Sequence, residues 1–130
     1  MIENNKNNIL AIVSLVLLSF ALGTCEFIVI GILTDIAESF KVSEVIAGGL
    51  VSMFALAYSV CTPFSAAIAG KFNRFNFIIF ASILFIIGNF LCSLAFDYNF
   101  LMIIRIFLAI ISGALISVSI SFTPYIAAKE

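Results

Sequence analysis

Two ionisable residues, Glu26 and Arg105, each lie inside a long apolar stretch of the sequence. A charged side chain at membrane depth is costly, so such residues usually face the interior of a helix bundle or a water-filled cavity. A carboxylate and a guanidinium in that setting can form a static structural ion pair. Alternatively, the carboxylate can gain or lose a proton according to whether its surroundings are wet or occupied, as a proton-coupled carrier requires.

The composition excludes most other chemistry. The chain of 130 residues is 64% hydrophobic, 10% charged and contains no His. Without imidazole there is no His general base, no Ser-His or Cys-His nucleophile and no His-based zinc site. The three cysteines, Cys25, Cys61 and Cys92, lack metal-ligand spacing. A formal net charge of -1 gives no basic surface for nucleic acid. We therefore predict no enzyme activity, no metal, no cofactor and no nucleic-acid partner.

The elements that must position the two charges are membrane helices. Crossing a hydrocarbon core of about 30 Å takes roughly 20 helical residues. Four stretches are long and apolar enough, at residues 9–33, 45–69, 77–96 and 100–123. Helices satisfy their own backbone hydrogen bonds in lipid, and the sequence lacks the ten-residue alternation of a membrane barrel. The predicted fold class is an all-α integral membrane protein with a four-helix membrane unit at residues 9–123.

The basic residues predict how these spans are oriented, because Lys and Arg are enriched in cytoplasmic connections. One side of the predicted membrane has four basic residues: Lys6, Lys71, Arg74 and Lys129. The other side has only Lys41. We expect a multi-pass protein of the cell membrane with both termini in the cytoplasm, residues 1–8 forming a cytoplasmic tail and residues 124–130 a cytoplasmic end.

This topology places Glu26 and Arg105 at similar depths. At 1.5 Å per residue, Glu26 lies about 10 Å from the outer end of span one and Arg105 about 8 Å from the outer start of span four. Small and polar residues share their helix faces and are predicted to line a cavity or pack against other helices. They are Gly23, Thr24 and Gly31 in span one, and Ala109, Ser112 and Gly113 in span four.

Residues 23–33, Gly-Thr-Cys-Glu-Phe-Ile-Val-Ile-Gly-Ile-Leu, resemble the first-helix signature of the drug:proton antiporter branch of the major facilitator superfamily. The similarity is closest to bacterial sugar, purine and multidrug efflux permeases. Arg105, Ala109 and Gly113, each four residues apart, resemble the fourth-helix Arg motif of the superfamily. The resemblance implies the first four helices of a twelve-helix fold, with Glu26 as the proton-coupling carboxylate and Arg105 as its electrostatic partner.

The sequence departs from the family pattern in three places. Thr34 stands where the branch usually has Pro, and Ala109 replaces the usual Gly. The connection 70–76 resembles the cytoplasmic gating loop but lacks its acidic residue and second Gly. The candidate gating residues that it keeps are Gly70, Lys71, Asn73 and Arg74, with Asn73 at the acidic position if one residue is deleted. The usual charge interaction between bundles is then lost or weakened.

The resemblance predicts the amino-terminal part of a proton-coupled efflux permease that exports drugs, sugars or nucleobases. Alternating access in such transporters needs two bundles. The expected partners are the lipid bilayer, protons, a small-molecule substrate, and the missing transmembrane helices or a partner bundle. Two alternatives remain: a small four-helix multidrug carrier that works as a dimer, and a non-transporting membrane fragment or assembly protein.

Overall fold

The computed structural model describes residues 2–69 and 73–127, and these residues form helices joined by short connections. The helices are α1 (Ile2–Gly31), α2 (Leu33–Phe40), α3 (Glu44–Ala69), α4 (Arg74–Ser93) and α5 (Tyr98–Ala127). Four segments within them are long and apolar enough to cross a membrane: Ile9–Gly31, Glu44–Ile68, Phe75–Ser93 and Tyr98–Ser121. The predicted all-α membrane fold with four spanning helices is confirmed.

Local capping explains where α4 lies relative to the predicted third span, residues 77–96. The helix begins earlier because the Asn73 side chain accepts a hydrogen bond from the Phe75 N–H at 3.3 Å, which satisfies one free donor of the first turn. It ends at Ser93, and the backbone N–H of Leu94 caps it by donating to the Leu91 carbonyl. The next helix then begins at Tyr98.

The short helix α2 occupies the acidic connection between the first two spans. Its apolar residues Ile36 and Phe40 are four apart and pack against a buried cluster around Leu50. The helix ends at Lys41, whose φ of 53° is left-handed and whose N–H donates to the Glu38 carbonyl. The spans predicted at residues 9–33 and 45–69 leave most of this stretch as a connection, although the spacing of its apolar residues is helical.

Helix α5 is the centre of the described bundle. In its most apolar stretch 67% of the residues are buried, against 11% in α1, 17% in α3 and 11% in α4. It packs against α1, α3 and α4. Large apolar side chains cover the outer faces of the other helices, including Leu10, Phe20 and Phe64. Such an exterior suits a lipid environment, in which apolar exposure carries no penalty.

Two features hold α5 against α3. At the start of α5, the Tyr98 hydroxyl donates to the Ile46 carbonyl near the start of α3. Farther along, Gly113 allows close approach, because a Cβ atom there would lie 2.7 Å from Thr62 Oγ1. The Ser117 hydroxyl also lies 3.3 Å from the Thr62 carbonyl. This crossing fixes the position of α5 and of the arginine that it carries.

Candidate functional site

Arg105 is held in the packed interface between α5 and α3. Only 6% of the residue is exposed, and its guanidinium carbon lies 4.8 Å from the centroid of the Phe54 ring. This geometry is a cation–π interaction, in which the negative face of the ring attracts the cation. Phe54 belongs to a buried cluster with Ile104, Leu108 and Ala109. The cation therefore lies against an aromatic ring that is itself fixed by packing.

Glu26 reaches the same region from α1. The residue is half-buried, and its carboxyl group lies close to the Ser112 hydroxyl and interacts with Arg105 electrostatically. Ser112 is fully buried, and its hydroxyl also lies 3.2 Å from the Ala109 carbonyl. The structure thus brings together Glu26, Ser112 and Arg105, three of the residues selected from the sequence, at the contact between α1 and α5.

The two charges leave hydrogen-bonding capacity unused. Among the described residues, Glu26 Oε1 and Arg105 Nε are buried without a hydrogen-bond partner. The two side chains attract each other electrostatically, but no direct salt bridge joins them in this part of the chain. An unsatisfied buried acceptor or donor costs about 1–3 kcal/mol, so each atom favours any group that can satisfy it. The site accordingly has one acceptor, Glu26 Oε1, and one donor, Arg105 Nε, that are available for a further hydrogen bond.

Side chains from α1, α3 and α4 complete the surroundings of this pair, and none of them was predicted as a site residue. Tyr58 from α3 faces Glu26, and its ring stacks on Phe54 with the centroids 6.3 Å apart. Cys25 from α1 and Cys92 from α4 lie within electrostatic range of Arg105. The signal for the aromatic pair was the four-residue spacing of Phe54 and Tyr58, which puts both rings on one helix face.

Three candidates on α1 lie elsewhere. Gly23 and Thr24 line an open groove of about 570 Å³, and the Thr24 hydroxyl donates to the Phe20 carbonyl of its own helix at 2.9 Å. Gly31 is the exposed last residue of α1. The described contacts of Glu26 and Arg105 do not include these residues. The polar face predicted for span one therefore divides into an open groove and the buried site.

The remaining candidate residues lie in α5 or at the start of α4 and the connection before it. Ala109 is fully buried in the cluster beside Phe54, and Gly113 lies at the crossing of α5 with α3. In the predicted gating loop, Asn73 caps α4 and Arg74 is the first residue of that helix. Gly70 and Lys71 lie outside the described residues.

Comparisons with known proteins identify the family of the chain. The family model of the major facilitator superfamily matches residues 15–130. An uncharacterised MFS-type transporter of Bacillus subtilis, YbcL, is 30% identical over 115 residues, which are 88% of this chain and 30% of the relative. The inner membrane transport protein YdhP of Escherichia coli K12 is 35% identical over 96 residues, 74% of this chain and 25% of the relative.

A probable sugar efflux transporter of Mannheimia succiniciproducens is 26% identical over 126 residues, 97% of this chain and 32% of the relative. No solved structure matches. The chain spans between a quarter and a third of the length of these relatives. The family match covers most of the chain, and it coincides with four helices of membrane-spanning length. The family match points to a family of transporters rather than of enzymes, and the chain belongs to the major facilitator superfamily.

Proposed function

We propose that this chain forms the first four transmembrane helices of a proton-coupled efflux permease in the drug:proton antiporter branch. Permeases of this superfamily bind substrate near the bilayer midplane between two repeats, so the rest of the pathway would come from further helices. We assign the exported molecules to the class of drugs, sugars or nucleobases. The relative named as a probable sugar efflux transporter supports this class.

The observation that carries the proposal is the meeting of Glu26 with Arg105 without a direct salt bridge. An ionised Glu26 attracts the guanidinium, whereas a protonated Glu26 does not. Protonation therefore changes the energy of bringing α1 close to α5. In a permease that alternates between two conformations, such a change biases the equilibrium between them, which is how a proton gradient can drive export.

Open small-residue surfaces support the presence of partner helices. A Cβ atom added at Gly23 on α1 or at Gly48 on α3 would meet no atom within 4 Å. On α3, Ser52, Ala55 and Ser59 are also exposed. Small residues let helices approach closely in membranes. We propose that helices beyond the four described here pack on these surfaces.

The orientation is also part of the proposal. The excess of Lys and Arg in one set of connections supports cytoplasmic termini, with residues 1–8 and 124–130 on that side of the cell membrane. Reporter fusions at residue 8 and at residue 41 test it. A cytoplasmic reporter should be active at residue 8 and inactive at residue 41, and the reverse pattern would overturn the orientation.

The coding DNA beyond codon 130 gives the first test of the proposal. A reading frame that continues with eight further hydrophobic spans is expected for a twelve-helix permease. A stop codon after Glu130 in an intact gene would contradict it.

The decisive test is export by the full-length permease carrying Glu26→Gln. Inverted vesicles with an imposed pH gradient would be assayed for uptake of ethidium, lactose and hypoxanthine, one probe for each proposed class. We expect Glu26→Gln to lower gradient-driven uptake of the transported probe at least about tenfold, a loss of about 1.4 kcal/mol in the driving step. Glu38→Gln, at an exposed position on α2, should retain uptake. Undiminished uptake in Glu26→Gln would contradict the proposal.

A further inference from the structure

We infer that Phe54 is a positioning residue that holds the Arg105 guanidinium against its ring and thereby keeps the Glu26 carboxyl free of a direct salt bridge. The inference concerns the arrangement of the site. Its consequence for transport rests on the function proposed above.

The contact between ring and cation is buried on both sides. Phe54 is 7% exposed and Arg105 is 6% exposed, and the guanidinium carbon lies 4.8 Å from the ring centroid. A cation–π attraction grows when the cation is desolvated, because water no longer competes with the ring. Here Arg105 Nε has no hydrogen-bond partner within the described residues. The ring is therefore a principal stabilising contact of this cation.

The ring cannot follow the guanidinium if Arg105 moves. Its neighbours Ile104, Leu108 and Ala109 are buried around it, and the Tyr58 ring stacks on it at an interplanar angle of 15°. A buried aromatic ring with such neighbours keeps one orientation, since interiors are close-packed. Phe54 thus gives Arg105 a fixed location on the α3 side of the site, whereas Glu26 approaches from α1.

The charged and titratable groups around the pair come from every helix packed against it. Glu26 is faced by Arg105 and the Ser112 hydroxyl from α5 and by Tyr58 from α3. Arg105 is faced in addition by Cys25 from α1 and Cys92 from α4. Of these groups, Arg105 is the only cation, so its position determines how strongly the ionised carboxylate is stabilised.

A guanidinium released from the ring would have a strong alternative partner. Arg and carboxylate groups form short, often bidentate hydrogen bonds, and Glu26 Oε1 and Arg105 Nε are both uncommitted. A tight pair of that kind would favour the ionised carboxylate and oppose proton uptake. Competition from the Phe54 ring therefore preserves a carboxyl group that can exchange its proton.

Arginine NMR tests whether the Phe54 ring holds the Arg105 guanidinium. The chain contains two arginines, Arg74 and Arg105, so a 15N-arginine sample in lipid nanodiscs gives two Nε–H signals, and Arg74→Lys assigns them. The ring current of Phe54 should displace the Arg105 signal, and Phe54→Leu should abolish that displacement. Phe54→Tyr should retain it. An Arg105 signal that is unchanged in Phe54→Leu would overturn the inference.

Carbodiimide labelling tests whether the Phe54 ring keeps the Glu26 carboxyl group able to take up a proton. Dicyclohexylcarbodiimide modifies protonated carboxyl groups in the membrane, and mass spectrometry locates the product at Glu26. We expect Phe54→Leu to reduce labelling at neutral pH at least threefold, and Phe54→Tyr to restore it. The double variant Phe54→Leu with Arg105→Gln should label at least as well as the wild type, since no cation remains to pair with Glu26. Phe27→Leu, at an exposed ring on α1, is the matched control.

Fluorinated phenylalanine at position 54 separates the charge effect from packing. One, two or three ring fluorines weaken the negative face of the ring while nearly preserving its shape, so labelling of Glu26 should fall stepwise with fluorine number. Equal labelling across the series would overturn the inference, even if Phe54→Leu misfolds. The NMR and labelling experiments do not require transport. They can therefore support the role of Phe54 even if Glu26→Gln leaves export intact, which would contradict only the proposed function.

Discussion

Helices α5 and α1 carry the two opposite charges of the site in very different surroundings. In α5, 67% of the most apolar stretch is buried, whereas in α1 the value is 11%. Arg105 accordingly lies among packed side chains. Glu26 is half-buried on α1, where Leu22 and Val29 are the buried residues within the part of the helix whose burial is described, residues 9–31. This difference indicates that Arg105 is the fixed member of the pair. A shift of α1, which carries Glu26, is then the simplest way to change the interaction between the two side chains.

Glycines show the same contrast between the two helices. Gly113 on α5 lies at a close crossing, where an added Cβ atom would come 2.7 Å from Thr62 Oγ1. Gly23 and Gly31 on α1 have no atom within 4 Å of that position. One residue type therefore permits close packing on α5 and leaves an open face on α1. Matched substitutions on the two helices can test whether α5 is more tightly packed than α1.

The largest effect is expected for Gly113→Val. The branched side chain must displace Thr62 or separate α5 from α3, which should lower the free energy of unfolding by about 3 kcal/mol. Unfolding would be followed by circular dichroism during titration of mixed micelles with sodium dodecyl sulfate. Gly23→Val carries the same change in helix propensity into open space and should differ from wild type by less than about 0.5 kcal/mol. Equal losses in both variants would refute the contrast.

A smaller effect is expected for Leu108→Ala, a truncation at the centre of the α3–α5 contact. Leu108 is 1% exposed and packs against Gly88 and Phe54. Because lipid is as apolar as leucine, only packing is lost, and we expect a decrease of about 2 kcal/mol in the same titration. Leu17→Ala, on the exposed face of α1, should lose less than about 0.5 kcal/mol. A larger loss at Leu17 than at Leu108 would contradict the packing difference.

The smallest effect is expected for Tyr98→Phe. This change removes the hydroxyl that donates to the Ile46 carbonyl and links the first turn of α5 to the first turn of α3. We expect a loss of about 1 kcal/mol, typical of one hydrogen bond. Thr24→Val removes a hydroxyl on α1 that bonds only within its own helix, and should leave stability unchanged. A larger loss of stability in Thr24→Val than in Tyr98→Phe would contradict a stabilising hydrogen bond between α5 and α3 at Tyr98.

Hydropathy and charge were sufficient to predict the four spanning helices, since each is a long apolar run. The predicted topology places Glu26 and Arg105 at similar depths, and in the structure the two side chains interact electrostatically. The helix α2 was missed because its eight residues are too few to span a membrane, although Ile36 and Phe40 have helical spacing. The start of α4 depends on the cap at Asn73, a local hydrogen bond that hydropathy does not report.

The aromatic contact of Arg105 could not have been selected from the sequence. Phe54 is one of 15 phenylalanines, and its role depends on how α3 crosses α5. Gly113 was predicted to line a cavity or to pack, because a small residue suits either purpose. Only the position of Thr62 opposite Gly113 shows the close crossing. Chemistry that depends on the angle between helices is visible only once the helices are placed.

The most direct test of the central claim is the titration of Glu26 in the chain itself, with and without its cation. Glutamate labelled with 13C at Cδ would be followed by NMR in nanodiscs, with Glu26→Gln used to assign the signal. Arg105→Gln is expected to displace the Glu26 titration curve, because it removes the guanidinium that interacts with the ionised carboxylate. A Glu26 curve that is identical in wild type and Arg105→Gln would contradict electrostatic coupling between α1 and α5.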